Sequence, residues 1–373
     1  MPLISIILSV YNTEPYVEKC LTSLLGQTFR DIEIIAVDDC STDKSVDILR
    51  RYAAQDDRLK IFPQKQNTGV GVVRNFALSK VHGTYIMFCD SDDSYAPAMC
   101  ERMKNTLEKT QSDMVMCDCF IEKEGVHGRN KSAQEYFYLN FKGEMILNAQ
   151  NRFSFNRVLW NKIFKSSLIR EYNITFPPSR EHDDVSFVAQ YLTVCNKIYG
   201  LGEKLYRYVL RGNSIMGTFF TNPSKANPWD QFLSWRHTVD FLIKNNKWSE
   251  YKDIAIRFLF ARLAWLQERF RWKQFSEEDL RKMASYLRGV PLCKSENILE
   301  NQLYALQQGK AGFPDTVRAS YTRYIAGFLP LKTLLAWNKK RICFCGVELY
   351  KKDFLANKTR WLGLICWSGK KYY

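Results

Sequence analysis

A chain of 373 residues with 46% hydrophobic and 14% aromatic side chains can bury a sizeable core, which excludes a disordered polymer and suggests two or three structural units. The formal net charge is +15, and it is uneven: from Ser320 to Tyr373 eleven Lys or Arg stand against two acids, so an anionic partner is expected at that end. The eleven cysteines are odd in number and scattered, only four histidines accompany them, and no Cys-x-x-Cys pairing suggests zinc, so free, mostly buried thiols are expected.

The first apolar run, Met1 to Val10, has no basic segment before it and passes directly into Tyr11-Asn12-Thr13-Glu14. It reads as a buried strand rather than a signal peptide, and a cytoplasmic protein is expected. Further strands are predicted at Ile32 to Val37, Leu59 to Phe62, Tyr85 to Cys89 and Met114 to Cys117. Between them, apolar residues recur at helical spacing: Tyr16, Val17, Cys20, Leu21, Leu24 and Leu25, then Val46, Leu49 and Tyr52, then Val73, Phe76, Ala77 and Val81. This alternation predicts an α/β unit with a mostly parallel sheet covered by helices on both faces. A less regular region follows from about Ile121 to Ser214. After Asn227-Pro228 the pattern becomes helical, with Trp229, Phe232, Leu233, Val239, Leu242 and Ile243 on one helix and Tyr251, Ile254, Phe258 and Leu259 on another. No stretch approaches the roughly 20 uninterrupted apolar residues of a spanning helix.

In a parallel sheet, ligands sit beyond the carboxyl ends of the strands. The strand ends here read Val10-Tyr11-Asn12, Val37-Asp38-Asp39 and Cys89-Asp90-Ser91-Asp92-Asp93. Each acid follows an apolar run, so the carboxylates gather on one sheet edge, where a hard cation such as magnesium or manganese would compensate them. Asp38 and Asp93 suit a second use, as caps of following helices. A second acidic cluster, Arg180-Glu181-His182-Asp183-Asp184, stands at a predicted helix start, where aspartate is also favoured by the helix dipole.

The order of these pieces resembles the nucleotide-binding half of the family 2 glycosyltransferases, which have the GT-A fold. The resemblance is carried by Ser5-Ile6-Ile7-Leu8-Ser9-Val10-Tyr11-Asn12, Val37-Asp38-Asp39-Cys40-Ser41-Thr42-Asp43, Asn67-Thr68-Gly69 with Arg74-Asn75, and Gly83-Thr84-Tyr85-Ile86 leading into Asp90-Ser91-Asp92-Asp93. It implies that Val10 and Tyr11 line a base pocket and that Asp39 accepts from the base. Gly69 and Arg74 would complete the nucleotide cleft, Asp90 with Ser91 would serve the ribose side, and Asp92 would bind Mn2+ or Mg2+. The cluster at 181–187 is similar to the family's acidic-Asp-x-x-Phe motif, which puts Asp184 in the position of the base with Asp183 beside it and His182 as an alternative. Leu159-Trp160-Asn161-Lys162 and Arg211-Gly212-Asn213-Ser214 look like the bacterial polysaccharide branch. There Lys162 and Arg211 could neutralise a departing diphosphate or hold an anionic acceptor, and Trp160 could stack on a sugar or serve the core. Cys40, Val73 and Ala77 depart from the family's usual residues at positions expected to affect packing more than ligand contacts.

The expected organisation is a GT-A catalytic domain over 1–220, divided into a nucleotide half (1–118) and an acceptor half (119–220), then a helical region over 221–373. The expected reaction is inverting transfer from a nucleotide sugar, a UDP-hexose or UDP-N-acetylhexosamine, to a saccharide or lipid-linked acceptor in bacterial surface glycan synthesis. A sugar nucleotidyltransferase would instead need a glycine-rich loop after the first strand, which Tyr11-Asn12-Thr13-Glu14 is not, and a dinucleotide oxidoreductase fails the same requirement. A catalytically silent glycan or membrane adaptor would not need Asp39, Asp92 and Asp184 together. In the basic tail, 320–373, aromatics alternate with lysines, which suits attachment to the anionic inner face of the cell membrane. No nucleic-acid-binding motif accompanies the charge, so nucleic acid is not an expected partner.

Overall fold

The computed structural model describes residues 2–124, 141–148, 151–153, 157–211, 228–269, 277–295, 297–309, 341–344, 347–353 and 358–361. In chain order the elements are β1 (Ile4–Val10), α1 (Glu14–Leu25), β2 (Ile32–Asp38), α2 (Ser45–Ala53), β3 (Leu59–Pro63), α3 (Val70–Leu78), β4 (Tyr85–Asp90), β5 (Ser94–Tyr95), α4 (Met99–Thr110), β6 (Met114–Glu124), β7 (Gly143–Ile146) and β8 (Lys162–Lys165). They continue with α5 (Ser166–Glu171), α6 (Asp183–Val194), β9 (Lys197–Arg211), α7 (Pro228–Lys244), α8 (Trp248–Arg269), α9 (Glu277–Leu287) and α10 (Ile298–Gln307). The chain divides into two compact units, Met1–Tyr251 and Lys252–Tyr373.

The first unit is built on one sheet in the order β3-β2-β1-β4-β8-β6-β9-β5, with β7 also on β9. The pairs β3-β2, β2-β1 and β1-β4 are parallel, as the apolar runs predict. β8 then runs antiparallel to both β4 and β6, and β9 is parallel to β6 but antiparallel to β5 and β7. The second half of the sheet is therefore mixed. β1 lies between β2 and β4, so the strand order reverses beside it, and in such sheets ligands bind beyond the carboxyl ends of the strands at that point. Ser9 pairs there with Asp90, and Val10 with Asp38.

Alternate residues of β1 explain its central position. Ile4, Ile6, Leu8 and Val10 pack into one core with Val17, Cys20, Leu21 and Leu24 of α1 and with Met99, Met103 and Leu107 of α4. Such a strand, buried on both sides, is mostly apolar, interrupted here by Ser5 and Ser9. Phe88 of β4 anchors an aromatic cluster, with ring centroids 5.9 Å from Phe164, 5.7 Å from Phe176 and 5.5 Å from Phe187. Phe176 and Phe187 are themselves stacked at 4.2 Å. Through Phe187 this cluster seats α6 against the sheet. α7 is tied to the same unit, because Asp230 accepts from the backbone N–H groups of Arg180 and Glu181 at 3.0 and 2.9 Å.

In the second unit, the side chain of Asn297 caps α10 by accepting from the N–H groups of Leu299 and Glu300. The buried Glu300 carboxylate pairs with Lys252 at 3.2 Å. Within the basic segment, β10 (Arg341–Phe344), β11 (Val347–Asp353) and β12 (Lys358–Trp361) form an antiparallel sheet in that order. The rest of the basic segment lies outside the described residues. Among the described residues no helix is long and apolar enough to cross a membrane.

Candidate active site

The loops beyond β1, β2 and β4 are sewn together by their own side chains. Asn12 takes the left-handed conformation (φ 49°), donates its N–H to the Ser41 hydroxyl at 2.9 Å and accepts from Thr42 N–H at 2.8 Å. Asp43 accepts from the N–H of Glu14 at 2.9 Å and from that of Ser45 at 3.0 Å, tying the starts of α1 and α2. Asp38 accepts from Ser41 N–H at 3.0 Å, which closes a turn four residues before α2 begins rather than capping that helix. Cys40 sits at φ 64° within this turn, a conformation that favours glycine or asparagine. Its departure from the family pattern thus bears on the backbone, not on helix packing. Val10 is buried, whereas Tyr11 is 48% exposed at the sheet edge.

Asp39 is buried and serves the loop before α3. One carboxylate oxygen accepts from Thr68 N–H at 2.7 Å and the Thr68 hydroxyl at 3.1 Å, and the other from Gly69 N–H at 2.9 Å. Gly69 adopts φ 93°, which only glycine takes without strain. Three donors on one carboxylate fix its orientation.

Arg74 of α3 is buried, with Nη1 2.6 Å from Asp183 and Nη2 2.7 Å from Asp90. Burial disfavours its charge, but Asp183 and Asp90 outweigh this and raise its pKa further. Asp90 is in turn raised by burial, with Arg74 opposing and Asp92 and Asp183 reinforcing. Ser91 is buried and accepts from the Thr13 hydroxyl at 3.0 Å. Asp92 pairs with Arg211, whose guanidinium lies 4.7 Å from the Tyr16 ring centroid. Asp93 does not cap α4. It accepts from Val209 N–H and the Tyr206 hydroxyl, each at 2.7 Å, and so clamps the acidic loop to β9.

Asp183 and Asp184 occupy the first turn of α6, so the helix-start reading and a site role coincide. Asp183 is buried on Arg74, while Asp184 is partly exposed and accepts from Val185 N–H at 2.8 Å. Burial and the neighbouring Asp183, opposed by Arg74, push Asp184 up to about 7. His182 precedes them at φ 60°, its carbonyl accepting from the Ser234 hydroxyl.

Burial decides the roles of two further residues. Lys162 is fully buried, and its ammonium donates to Val158 O at 2.5 Å and to Asn161 Oδ1 at 2.8 Å. Burial, opposed by Asp184, pulls its pKa down to about 7, so it is a buried neighbour of the acidic cluster, not a surface clamp for diphosphate. Trp160 is buried, nearly parallel to Tyr206 at 4.4 Å and Tyr208 at 5.4 Å, so its ring faces belong to the core and not to a sugar.

The edge thus gathers Asp39, Arg74, Asp90, Ser91, Asp92, Asp183 and Asp184. Among the described residues no three His, Cys, Asp or Glu are grouped to hold a metal by themselves. Magnesium-type ions are commonly held by one or two carboxylates plus substrate phosphates, and the Asp92 carboxylate fits that shared kind of site.

A family model described as "Glycosyl transferase family 2" matches residues 5–172. The chain is 31% identical over 310 residues to EpsH of Bacillus subtilis (strain 168), to which a glycosyltransferase activity is ascribed, covering 81% of this chain and 86% of that one. It is 28% identical over 306 residues to a poly(ribitol-phosphate) beta-glucosyltransferase of Bacillus spizizenii, covering 77% of this chain and 45% of the relative. The crystal structure of S. aureus TarS 1-349 in complex with UDP-GlcNAc matches with a TM-score of 0.62 at 21% identity, over 86% of this chain and 90% of that one. The mixed sheet with its flanking helices is accordingly the GT-A fold, and the chain belongs to glycosyl transferase family 2.

Proposed function

We propose that this chain is a metal-assisted, inverting glycosyltransferase that moves a hexose or N-acetylhexosamine from a UDP-sugar to a saccharide or lipid-linked saccharide acceptor. The observation that carries the reading is the convergence, at one sheet edge, of Asp39, Asp90 and Asp92 with a partly exposed Asp184 held near neutrality. The UDP-GlcNAc bound by the TarS structure and the poly(ribitol-phosphate) acceptor in the name of another relative support a nucleotide-sugar donor and a surface-glycan acceptor.

In this reading Val10, Tyr11 and Asp39 enclose the base, Gly69 lets the backbone approach it, and Asp90 and Ser91 face the ribose. Asp92 would hold Mg2+ or Mn2+, which when bound would supply positive charge to the leaving diphosphate. Arg211, already in contact with Asp92, adds charge on the same side. Asp184 takes the proton of the attacking hydroxyl, since inversion requires a base opposite the departing diphosphate. The basic tail would hold the enzyme at an anionic membrane surface on the cytoplasmic side, near a lipid-linked acceptor.

The test is incubation of the protein with a panel of UDP-, GDP- and dTDP-sugars and either Mg2+ or Mn2+, measuring nucleoside diphosphate release with and without saccharide acceptors. Release from a UDP-sugar that needs the metal, with an inverted anomeric proton signal in the product, is expected. Release from none of them, or a product with retained configuration, contradicts the reading.

A further inference from the structure

Arg74 joins residues 16 and 109 positions away in sequence. One arm of its guanidinium holds Asp90 at the end of β4, and the other holds Asp183 at the start of α6. We propose that Arg74 and Asp183 act as one positioning pair for the base, fixing the helix that carries Asp184 to the nucleotide-binding strand and balancing the charge that Asp184 feels. This rests on the reading of Asp184 as the base.

The surrounding contacts make α3 and the segment 176–183 a single piece. Asn75, next to Arg74, accepts from Phe176 N–H at 2.8 Å and donates to Phe176 O at 2.9 Å. The Arg74 guanidinium lies 5.8 Å from the Phe176 ring centroid. Gly71, three residues earlier, packs so closely that an added Cβ would fall 2.0 Å from Pro177 O. A forked guanidinium suits this junction, because it binds two carboxylates in fixed directions where an ammonium would act as a point charge. Asp183 is thereby buried and committed, and Asp184 is the partly exposed member of the pair that an acceptor can reach.

Four charged groups act on Asp184: Asp183 on its own helix, Arg74 on α3, Asp90 at the end of β4 and Lys162 on β8. The two acids oppose its ionisation; Arg74 favours it, and so does Lys162 while it is protonated. With the Arg74–Asp183 pair intact the two nearest charges offset each other; removing either uncovers the other. Arg74→Gln removes the permanent cation and leaves Asp183 and Asp90 facing Asp184, which then ionises at higher pH. Asp183→Asn leaves Arg74 beside Asp184, which then ionises at lower pH. Lys162 titrates in the same region but is common to the parent and both variants, so the difference in sign between the variants is set by Arg74 and Asp183. A purely structural role would move neither titration or would move both the same way.

The experiment labels the aspartate carboxyl carbons of the full-length protein and follows them by carbon NMR against pH, with the Asp184 signal identified by its loss in Asp184→Asn. The expected shifts are about one pH unit upward in Arg74→Gln and about one unit downward in Asp183→Asn, the usual scale for a neighbouring charge. Arg74→Lys, which keeps the charge, should titrate close to the parent. The pH dependence of UDP release from UDP-GlcNAc with Mn2+ is read in parallel and should move with the carboxyl titration. If Arg74→Gln does not fold, Asp183→Asn with its downward shift decides alone. Single variants whose Asp184 titration is unmoved, or moves in one direction, overturn the proposal while an inactive Asp184→Asn leaves the base reading standing. Full turnover by a folded Asp184→Asn overturns the base reading, and this proposal with it.

Discussion

Asp39, Asp90, Asp92 and Asp184 could be located from the sequence because each follows an apolar run or opens a helix, and the sheet edge gathers what strand ends present. Their partners could not be, because an ion pair such as Arg74–Asp183 leaves no periodic trace when its members are 109 residues apart. Lys162 and Trp160 were ambiguous for a related reason. A lysine or tryptophan inside an apolar stretch is compatible with either a ligand or a core, and only burial separates the two. The Asp92 assignment predicts that Asp92→Ala weakens UDP binding in the presence of Mn2+ by at least about tenfold, since one carboxylate fewer leaves the diphosphate charge poorly compensated. Calorimetric titration giving the parent's affinity would contradict it. Asp184 predicts a pH dependence whose sign follows from its elevated value of about 7. A base must be ionised, so turnover should fall as pH drops through that region. For stability the sign is opposite: a carboxyl raised above its unfolded value contributes stability fully present below about pH 4 and lost as pH rises through about 7. A pH–rate profile and urea midpoints from pH 4 to 8 check both halves.

Among the elements, β1, β2 and β4 were legible because strands buried on both faces read as largely apolar runs, and the edge strand β3 by its short Leu59-Lys60-Ile61-Phe62 pattern. β5 and β8 were not, since two and four residues carry too little pattern to distinguish a strand from a loop. The mixed direction of the second half of the sheet follows from these short insertions. Asp93 shows the same limit, because its clamp on Val209 and Tyr206 depends on β9 pairing with β5. The junction of α3 with the segment before α6 gives a sharp prediction. In Gly71→Ala the added methyl meets a backbone carbonyl at 2.0 Å, which cannot swing aside as a flexible side chain would. A loss of about 2 kcal/mol or more in a urea titration is expected, with a fall in turnover because the segment leading to Asp184 must shift. An unchanged midpoint would mean that the segment yields freely.

On the scale of the whole molecule, the charge asymmetry was the clearest sequence signal beyond the first unit, and net charge is an argument about partners rather than about fold. If the basic tail holds the enzyme on anionic lipid, the full-length protein should sediment with phosphatidylserine-containing vesicles at low salt. The bound fraction should fall severalfold between about 0.05 and 0.5 M salt, as headgroup attraction is screened. Binding that ignores salt, or matches that to neutral vesicles, would remove the electrostatic account. The unit boundary was harder to read. α7 follows the irregular region and looks like the start of a separate helical part, yet Asp230 and Ser234 fasten it to the loop before α6. These contacts give α7 a place in the catalytic unit and link it to the central claim, that the gathered acids carry out glycosyl transfer with Asp184 as the base. The most direct measurement is the single-turnover rate of Asp184→Asn with its preferred nucleotide sugar, alongside donor affinity and thermal midpoint. The account predicts parental affinity and folding with a rate lower by on the order of 10² to 10⁴; a correctly folded variant that transfers sugar at the parental rate would contradict it.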